Sequence, residues 1–422
     1  MNFNTIIIRF GFDPDSFINE DRDPIRTEKG FIYEVRQRTD TRKCPYCSST
    51  DCIVQDHDTV EINCSETDQI KDVLRIIKTR FLCKGCRRTF TPAIEGISHH
   101  YKTSVQTLSM IYNDFFKMMT FTQIGHRYGY STARIIQIFD EKIRFVPRGR
   151  MPEVLCIDEI HFEEDIDQKY CCCLYDFRER KLVDIIRNRQ RAYLDDYFQE
   201  VPESERKGVR YFVSDMYDGY RSACKKFFPR ALHIVDLFHV VALLTTAINS
   251  VRNGVCRKLS KNSSEYRFMK NHWRLFLCRR ERIPDKWYTP KKSGASIHYS
   301  DMVHRCILQD QTLLEGYNIL QDLFHYDYTS TFTESLAFID HISERLSLSG
   351  SETLESVGRS YDKWRIEIAD GIAKNQSEEH FSNSVAESVN NHLKTIIKTA
   401  YGYHNFERFR KRSILICRYE KL

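Results

Sequence analysis

No stretch of this chain approaches the run of about 18 apolar residues that a membrane-spanning helix needs. Its opening, MNFNTIIIRFGFDPD, meets acids too soon for a secretory signal, so none is expected. Internal repeats and low-complexity segments are also lacking, which argues against a solenoid and against a long disordered linker. A strong charge of either sign is missing too. The 64 Lys and Arg face 58 acids for a net charge of +6, a bias too mild to mark a nucleic-acid binder by itself. Cysteine is plentiful, but a pairing scheme is not. The fifteen cysteines are odd in number, and Cys171-Cys172-Cys173 stand in a row and cannot all pair locally. That excludes a disulfide framework and points to a reducing cytosol.

What is present suits a globular protein of two to four domains, with 422 residues, 41% hydrophobic and 29% charged. Residues 1–40 read as an arm with one strand, Phe31 to Val35. Residues 41–98 carry two cysteine pairs, and 99–150 are helical in period. From Val154 the pattern turns to short apolar runs. Val154–Ile157, Tyr170–Tyr175 and Leu182–Ile186 read as three strands in succession, followed by a helix over Arg191–Glu200 and strands at Val209–Val213 and Leu232–Val235. Three strands and then alternation with helices predict an α/β fold with a mixed sheet, first part 151–245. Residues 246–380 are mostly helical, and 381–422 hold a last long helix from near Ser382 and a basic tail.

Cys44-Pro45-Tyr46-Cys47 and Cys83-Lys84-Gly85-Cys86 are both C-x-x-C pairs. Four thiolates suit a tetrahedral structural zinc with no open position. The 35 residues between them leave room for strands at Thr59–Asn63 and Val73–Leu82, as in a zinc ribbon. Cys52, His57 and Cys64 lie between the pairs and read as core or surface. Arg87 and Arg88, beside the second pair, place positive charge where DNA would lie.

The segment TFTQIGHRYGYSTARIIQIFDEKI reads as a short helix over Thr122–Tyr128, a turn at Gly129-Tyr130-Ser131, and a second helix capped by Ser131 or Thr132. The second helix buries Ile135, Ile138 and Phe139 and exposes Arg134 and Gln137, the anatomy of a DNA-reading helix-turn-helix.

Two apolar runs end on carboxylates: Cys156-Ile157-Asp158, and Tyr211-Phe212-Val213-Ser214-Asp215 with Asp218 three residues on. Asp218, before Gly219, reads as the cap of the next helix. Asp215 reads as a metal ligand in a crevice at the strand's carboxyl end. In NSVAESVNNHLKTIIKTAYGY, Val385, Val389, Leu393, Ile396 and Ala400 form one helical stripe, while Glu387, Asn390, Asn391, Lys394 and Lys398 share the opposite face. A carboxylate, two amides and two cations on one face suit metal ions and phosphates. Asp158, Asp215 and Glu387 together suggest two-metal phosphoryl transfer, each ion needing hard oxygen ligands.

With these motifs in hand, the chain resembles the DDE transposases of bacterial insertion sequences, of the ISL-three type. The resemblance rests on CPYC, CKGC, the helix-turn-helix, CIDEIH, SDMYDGYRSA, DLFHVV and AESVNNHLK followed by AYGYHNFERFRKR. It implies a ribonuclease-H-like core with a helical insertion before the last acid, and a triad of Asp158, Asp215 and Glu387 on two Mg²⁺ or Mn²⁺ ions. It also makes Asp236 and His239, in a D-x-x-H pattern, active-site support, alongside Asn391 and Lys394 from the helix face; Lys398 is assigned to DNA. Where the family often has Gly after the final acid, this chain has Ser388. The expected partners are transposon ends and target DNA, with a homodimer or larger assembly on DNA and no membrane. The expected setting is the bacterial cytoplasm, on the nucleoid when DNA is bound. Two other readings stand beside transposition: a metal-dependent nuclease without strand transfer, and an inert DNA-binding regulator.

Overall fold

A computed structural model of the chain describes residues 3–419 apart from 21, 29, 40–41, 68–69, 99–102, 166–167, 291–294, 375–380, 382–383, 400–402 and 404; the side chains of 65–67, 70–71, 163–165, 168, 384–385, 387 and 419 also lie outside the description. Two compact units result, one of Met1–Pro147 with Leu393–Leu422, the other Arg148–His392.

In the smaller unit, β1 (Gly30–Gln37) lies parallel to β3 (Ile70–Cys83), and β3 is antiparallel to β2 (Cys52–Thr67). The β2–β3 hairpin is longer than the expected strands because apolar alternation persists: Ile62, Cys64, Leu74 and Ile76 face one side and pack with Ile7, Phe10, Phe17 and Val35. Its open end pairs Cys52 with Cys83, which brings the two cysteine pairs together.

Three helices follow. Ser104 caps α1 (Val105–Asp114) by accepting from the Thr107 amide, and Thr120 with Gln123 makes a capping box on α2 (Phe121–Tyr128). Ser131 caps α3 (Thr132–Lys142), as expected. Gly129 sits at φ 70°, the left-handed conformation that lets α2 end in a tight turn. At Gly125 a Cβ would stand 2.6 Å from the Tyr130 carbonyl oxygen, so only glycine allows the turn to close on the helix.

Beneath these helices the Asp114 carboxylate is buried and accepts from Lys117, Arg127 and the Tyr128 hydroxyl at 2.8–2.9 Å. Burial pushes its pKa up, but the three donors outweigh that and hold it below the usual carboxylate range. The last helix, α12 (Phe406–Tyr419 in chain order), is fastened to the same group. Arg408 grips Asp140 through contacts of 2.7–3.0 Å. Arg412 is buried, donates to the Lys117 carbonyl and lies over the Phe121 ring. Two cations of the expected basic tail are thus engaged inside the unit.

The larger unit is built on a five-stranded sheet of β4 (Val154–Asp165), β5 (Gln168–Asp176), β6 (Lys181–Ile186), β7 (Tyr211–Ser214) and β8 (Leu232–Val235). The spatial order is β6-β5-β4-β7-β8. The first three are antiparallel neighbours, while β7 runs parallel to both β4 and β8. β4 is 12 residues long where a four-residue strand was expected, so Asp158 lies within it rather than at its end. The strand continues because β5 keeps pairing with it after β7 has stopped.

One face of the sheet packs Leu155, Ile157, Leu174 and Phe212 against α4 (Arg191–Glu200) and α5 (Asp218–Phe227) through Leu194, Phe198, Tyr220 and Phe227. Next, α6 (Leu237–Lys258) opens a helical region with its own core, including Leu244, Ile248, Phe268, Leu320, Ile342 and Trp364. Within it, α7 to α10 span Gln311–Phe324, Phe332–Ser347, Glu352–Lys363 and Arg365–Ile372. After it comes α11 (Ser384–Thr399); the expected start near Ser382 lies outside the described residues.

Replacing Asp114 by Ala strands three donors, so we expect a loss of about 1–3 kcal/mol in chemical denaturation at neutral pH. Because the folded pKa is depressed, that stabilisation is present above the unfolded value and fades as pH falls through the folded one. A change below about 0.5 kcal/mol would mean the donors find other partners.

Candidate functional site

The two cysteine pairs fold alike. The Cys44 amide donates to the Ser49 carbonyl at 2.8 Å, and the Cys83 amide to the Arg88 carbonyl at 3.0 Å. The Ser48 amide returns to the Cys44 carbonyl, and the Arg87 amide to the Cys83 carbonyl, both at 2.9 Å. Ser48 and Arg87 adopt positive φ of 62° and 57° to make these turns. The four thiols converge, with Cys44 and Cys86 Sγ 3.6 Å apart, Cys47 and Cys83 Sγ 3.5 Å apart, and all four within 4.8 Å of one another. Sulfurs bound to a tetrahedral zinc at about 2.3 Å stand roughly 3.8 Å apart, so the cluster fits that ion. Within this cluster the Cys86 backbone N–H, the largest influence, helps bring the Cys83 thiol down to about 6, while Cys47 beside it is pushed up to about 12. Cys52 and Cys64 are buried outside the cluster and His57 is exposed. Arg87 and Arg88 are exposed, Arg88 lying over the Tyr46 ring.

On α3, Arg134 and Gln137 are joined side by side. Arg134 Nη1 donates to Gln137 Oε1 at 2.7 Å, and Gln137 Nε2 to Glu141 Oε1 at 2.8 Å.

In the larger unit the sheet register brings acids together. Val213 pairs with Cys156 and Ser214 with Val235 on parallel strands. Counting on, Asp215 falls level with Asp158 on one side and Asp236 on the other. Asp158 accepts from Asn390 Nδ2 at 2.7 Å, and Asn390 accepts in turn from the buried Tyr175 hydroxyl. Burial raises the Asp158 pKa, as do Glu159 and Asp236, while the Glu159 amide and His239 oppose the rise. Asp215 is pushed up to about 6, first by burial, then by Glu159, with Asp158 adding to it against His239 and Arg189. Its Oδ1 is buried and has no hydrogen-bond partner among the described residues. Such an orphaned oxygen beside a second carboxylate is the donor set of a hard cation.

Asp236 is buried and caps α6 by accepting from the Phe238 amide at 3.2 Å, and His239 lies one turn into that helix. Asp218 is exposed and is the first residue of α5, with Tyr217 as the N-cap. The expected cap is therefore corrected. Its carboxylate pairs with Lys363, and its charge suits the first turn of a helix. Glu387 belongs to α11, one turn before Asn390, but its side chain lies outside the described residues. Asn391, Lys394 and Lys398 are exposed on α11, and of that helix face it is Asn390 that touches Asp158.

Glu159 was not singled out in the sequence. It accepts from Arg189 at 2.9 Å and from the Tyr220 hydroxyl at 3.0 Å, so a salt bridge stands beside the acids. The adjacent acids in Asp158-Glu159 were the available signal: on a strand they point to opposite faces. Among the described residues, the cysteine cluster is the one group of three or more such side chains whose ligand atoms gather within 4.8 Å.

A family profile described as transposase, of the DDE type and ISL3 group, matches residues 155–413. The chain belongs to the ISL3 family of DDE transposases. It is 22% identical over 258 residues to the transposase for insertion sequence element IS1001 of Bordetella parapertussis, covering 61% of this chain and 59% of that protein. A stretch of 125 residues is 26% identical to a protein of Lactococcus lactis subsp. lactis named ATP-dependent protease, covering 30% of this chain and 37% of that one. The chain thus spans less than two thirds of the length of either relative. Among the described residues, no helix of this family member is long and apolar enough to cross a membrane.

Elemental analysis of freshly purified, reduced protein should give one zinc per chain, and Cys83→Ser should lose it and unfold the ribbon, since such sites carry about 10–16 kcal/mol of apparent binding energy. A zinc-free preparation that is fully folded would refute the metal centre. A second expectation concerns protein that keeps its zinc but is free of Mg²⁺ and Mn²⁺. A folded pKa near 6 against an ordinary 3.8 means the native state holds the proton more tightly, so stability falls as pH rises from 4 to 6. Asp215→Asn removes that penalty. Its unfolding free energy should gain on the wild type through this window, levelling off above pH 6 at about 3 kcal/mol at most. A difference independent of pH would show that the carboxylate is not strained.

Proposed function

We propose that this family member binds the terminal inverted repeats of its insertion sequence, cleaves a phosphodiester at each end and joins the freed 3′-hydroxyl to target DNA. The observation that carries this reading is the level pair of Asp158 and Asp215 on adjacent parallel strands, with an Asp215 oxygen buried and unpartnered. We read the β6-β5-β4-β7-β8 order, with three antiparallel strands and two parallel ones, as a ribonuclease-H-like core interrupted by the helical insertion before α11. Glu387 completes the triad. Residues three apart share a helix face, and Asn390, three residues on, reaches Asp158.

Asp158, Asp215 and Glu387 would hold two Mg²⁺ or Mn²⁺ ions, which when bound supply charge neutralisation at the phosphate and an acidified attacking hydroxyl. The chain's own part is positioning. Asn390, locked by Tyr175, orients the Asp158 carboxylate. His239 favours the charged form of both aspartates. Asp236 fixes the start of the helix that carries His239. Arg189 and Tyr220 hold Glu159 off the other face of the strand. Asn391 and Lys394 are assigned to active-site support, and Lys398 to DNA.

End recognition is assigned to the zinc ribbon, with Arg87 and Arg88, and to α2–α3, with Arg134 and Gln137. Arg134 carries the donor fork that a base edge would take. Assembly on DNA as a dimer or larger would bring two ends together.

The test is cleavage and joining in vitro, using DNA that carries the element's ends and Mg²⁺ or Mn²⁺. Asp158→Asn, Asp215→Asn and Glu387→Gln should each abolish both steps while binding survives. Asp218→Asn should keep most activity, because Asp218 is an exposed helix-start residue. Activity retained by any triad variant would remove that residue from the site. Cleavage without joined product would favour a nuclease, and binding without cleavage would favour a regulator.

A further inference from the structure

The net charge of +6 hides an uneven distribution. Residues 251–292 hold thirteen Lys and Arg and three acids, +10 in one segment, so the rest of the chain carries −4. The three acids are engaged away from the segment's cations: Glu265 with Arg305, Glu281 with His325 and Asp285 with His298. The charge is therefore not compensated from within.

Part of it gathers around a cavity of about 530 Å³ lined by Arg252, Asn253, Arg257, Lys261, Tyr266 and Lys270. The buried Arg252 is held in place at the cavity wall. Its guanidinium donates to Asn249 Oδ1, Asn253 Oδ1 and the Met269 carbonyl at 2.6–2.9 Å. Arg257, Lys261 and Lys270 are exposed, and among the described residues none of them makes an ion pair. Lys270 lies over the half-buried Tyr266 ring at 5.8 Å. Like charges held close without counter-charges repel one another, and an external anion relieves that repulsion. The cavity far exceeds one phosphate, and its lining carries four cations, which suits a polyanion.

We propose that the helical insertion carries its own DNA-backbone site here, with Arg257, Lys261 and Lys270 on successive phosphates and Arg252 holding the wall from which they project. The proposal rests on the reading of the chain as a DNA-acting transposase. It adds a contact remote in sequence from both the end-recognition modules and the triad.

The experiment uses the full chain and a fluorescent 40-base-pair duplex of random sequence, titrated over a range of salt. Each phosphate contact contributes about 0.9 to the slope of log affinity against log salt. Arg257→Gln/Lys261→Gln/Lys270→Gln should make that slope shallower by about two to three and weaken binding at least about ten-fold near 0.1 M salt. The charge-keeping set Arg257→Lys/Lys261→Arg/Lys270→Arg should retain the wild-type slope. Arg178→Gln/Lys181→Gln/Lys207→Gln removes the same charge at exposed ion pairs elsewhere and should change the slope by less than about one.

Wild-type slope in the neutralised set overturns the site and leaves the transposase reading intact. An equal loss in the remote set reduces the effect to net charge, and a loss in the charge-keeping set reduces it to folding; either overturns the site. A wild type that binds no duplex overturns both the site and the reading beneath it.

Discussion

Parallel pairing in the larger unit governs what the rest can do. Strands that run the same way advance together, so once Val213 is opposite Cys156 and Ser214 opposite Val235, Asp158, Asp215 and Asp236 must come level. In a sheet buried on both faces this is costly. Burial, and then neighbouring acids, raise the pKa of both: Glu159 and Asp236 act on Asp158, and Glu159 and Asp158 on Asp215. Asn390, Tyr175 and His239 offset part of the cost, and the Arg189–Glu159 pair neutralises a third charge nearby. The apolar packing of β4, β5 and β7 against α4 and α5 holds a register that the carboxylates oppose. Cations bound there would relieve that strain, which is the basis of the proposed metal site.

The smaller unit solves a different problem, bringing cysteine pairs far apart in the sequence to one point. The long β2–β3 hairpin sets its ends so that the cysteine pairs meet, and two matching turns at Ser48 and Arg87 aim the thiols inward. The helices after it are tied by charge as well as by apolar contact: Asp114 takes three donors, Asp140 takes Arg408, and Arg412 reaches carbonyl oxygens in the segment that follows α1. A basic run therefore cannot be read as a DNA surface by counting. Two of the cations in 408–412 are structural, whereas those at 257, 261 and 270 have no acidic partner among the described residues.

Much of this was legible in the amino-acid order. The C-x-x-C spacing specified four thiolates, and Ser131 and Gly129 marked the helix boundaries through local capping and left-handed turn chemistry. Helix Arg191–Glu200 and strand Leu232–Val235 were read to the residue, because apolar period and flanking polar residues act over a few positions. The apolar runs ending in Asp158 and Asp215 marked both aspartates. Three matters were decided only by tertiary structure. The true length of β4 depends on continued pairing with β5, which the apolar run Val154–Ile157 does not contain. The N-cap of α5 fell on Tyr217, with Asp218 inside the first turn and paired with Lys363, 145 residues away. The choice of Asn390 over Asn391 as the partner of Asp158 came from how α11 lies on the sheet. Local sequence sets backbone preference and the chemistry available. Which carboxylate meets which amide or cation is a matter of long-range packing, and no short stretch contains it.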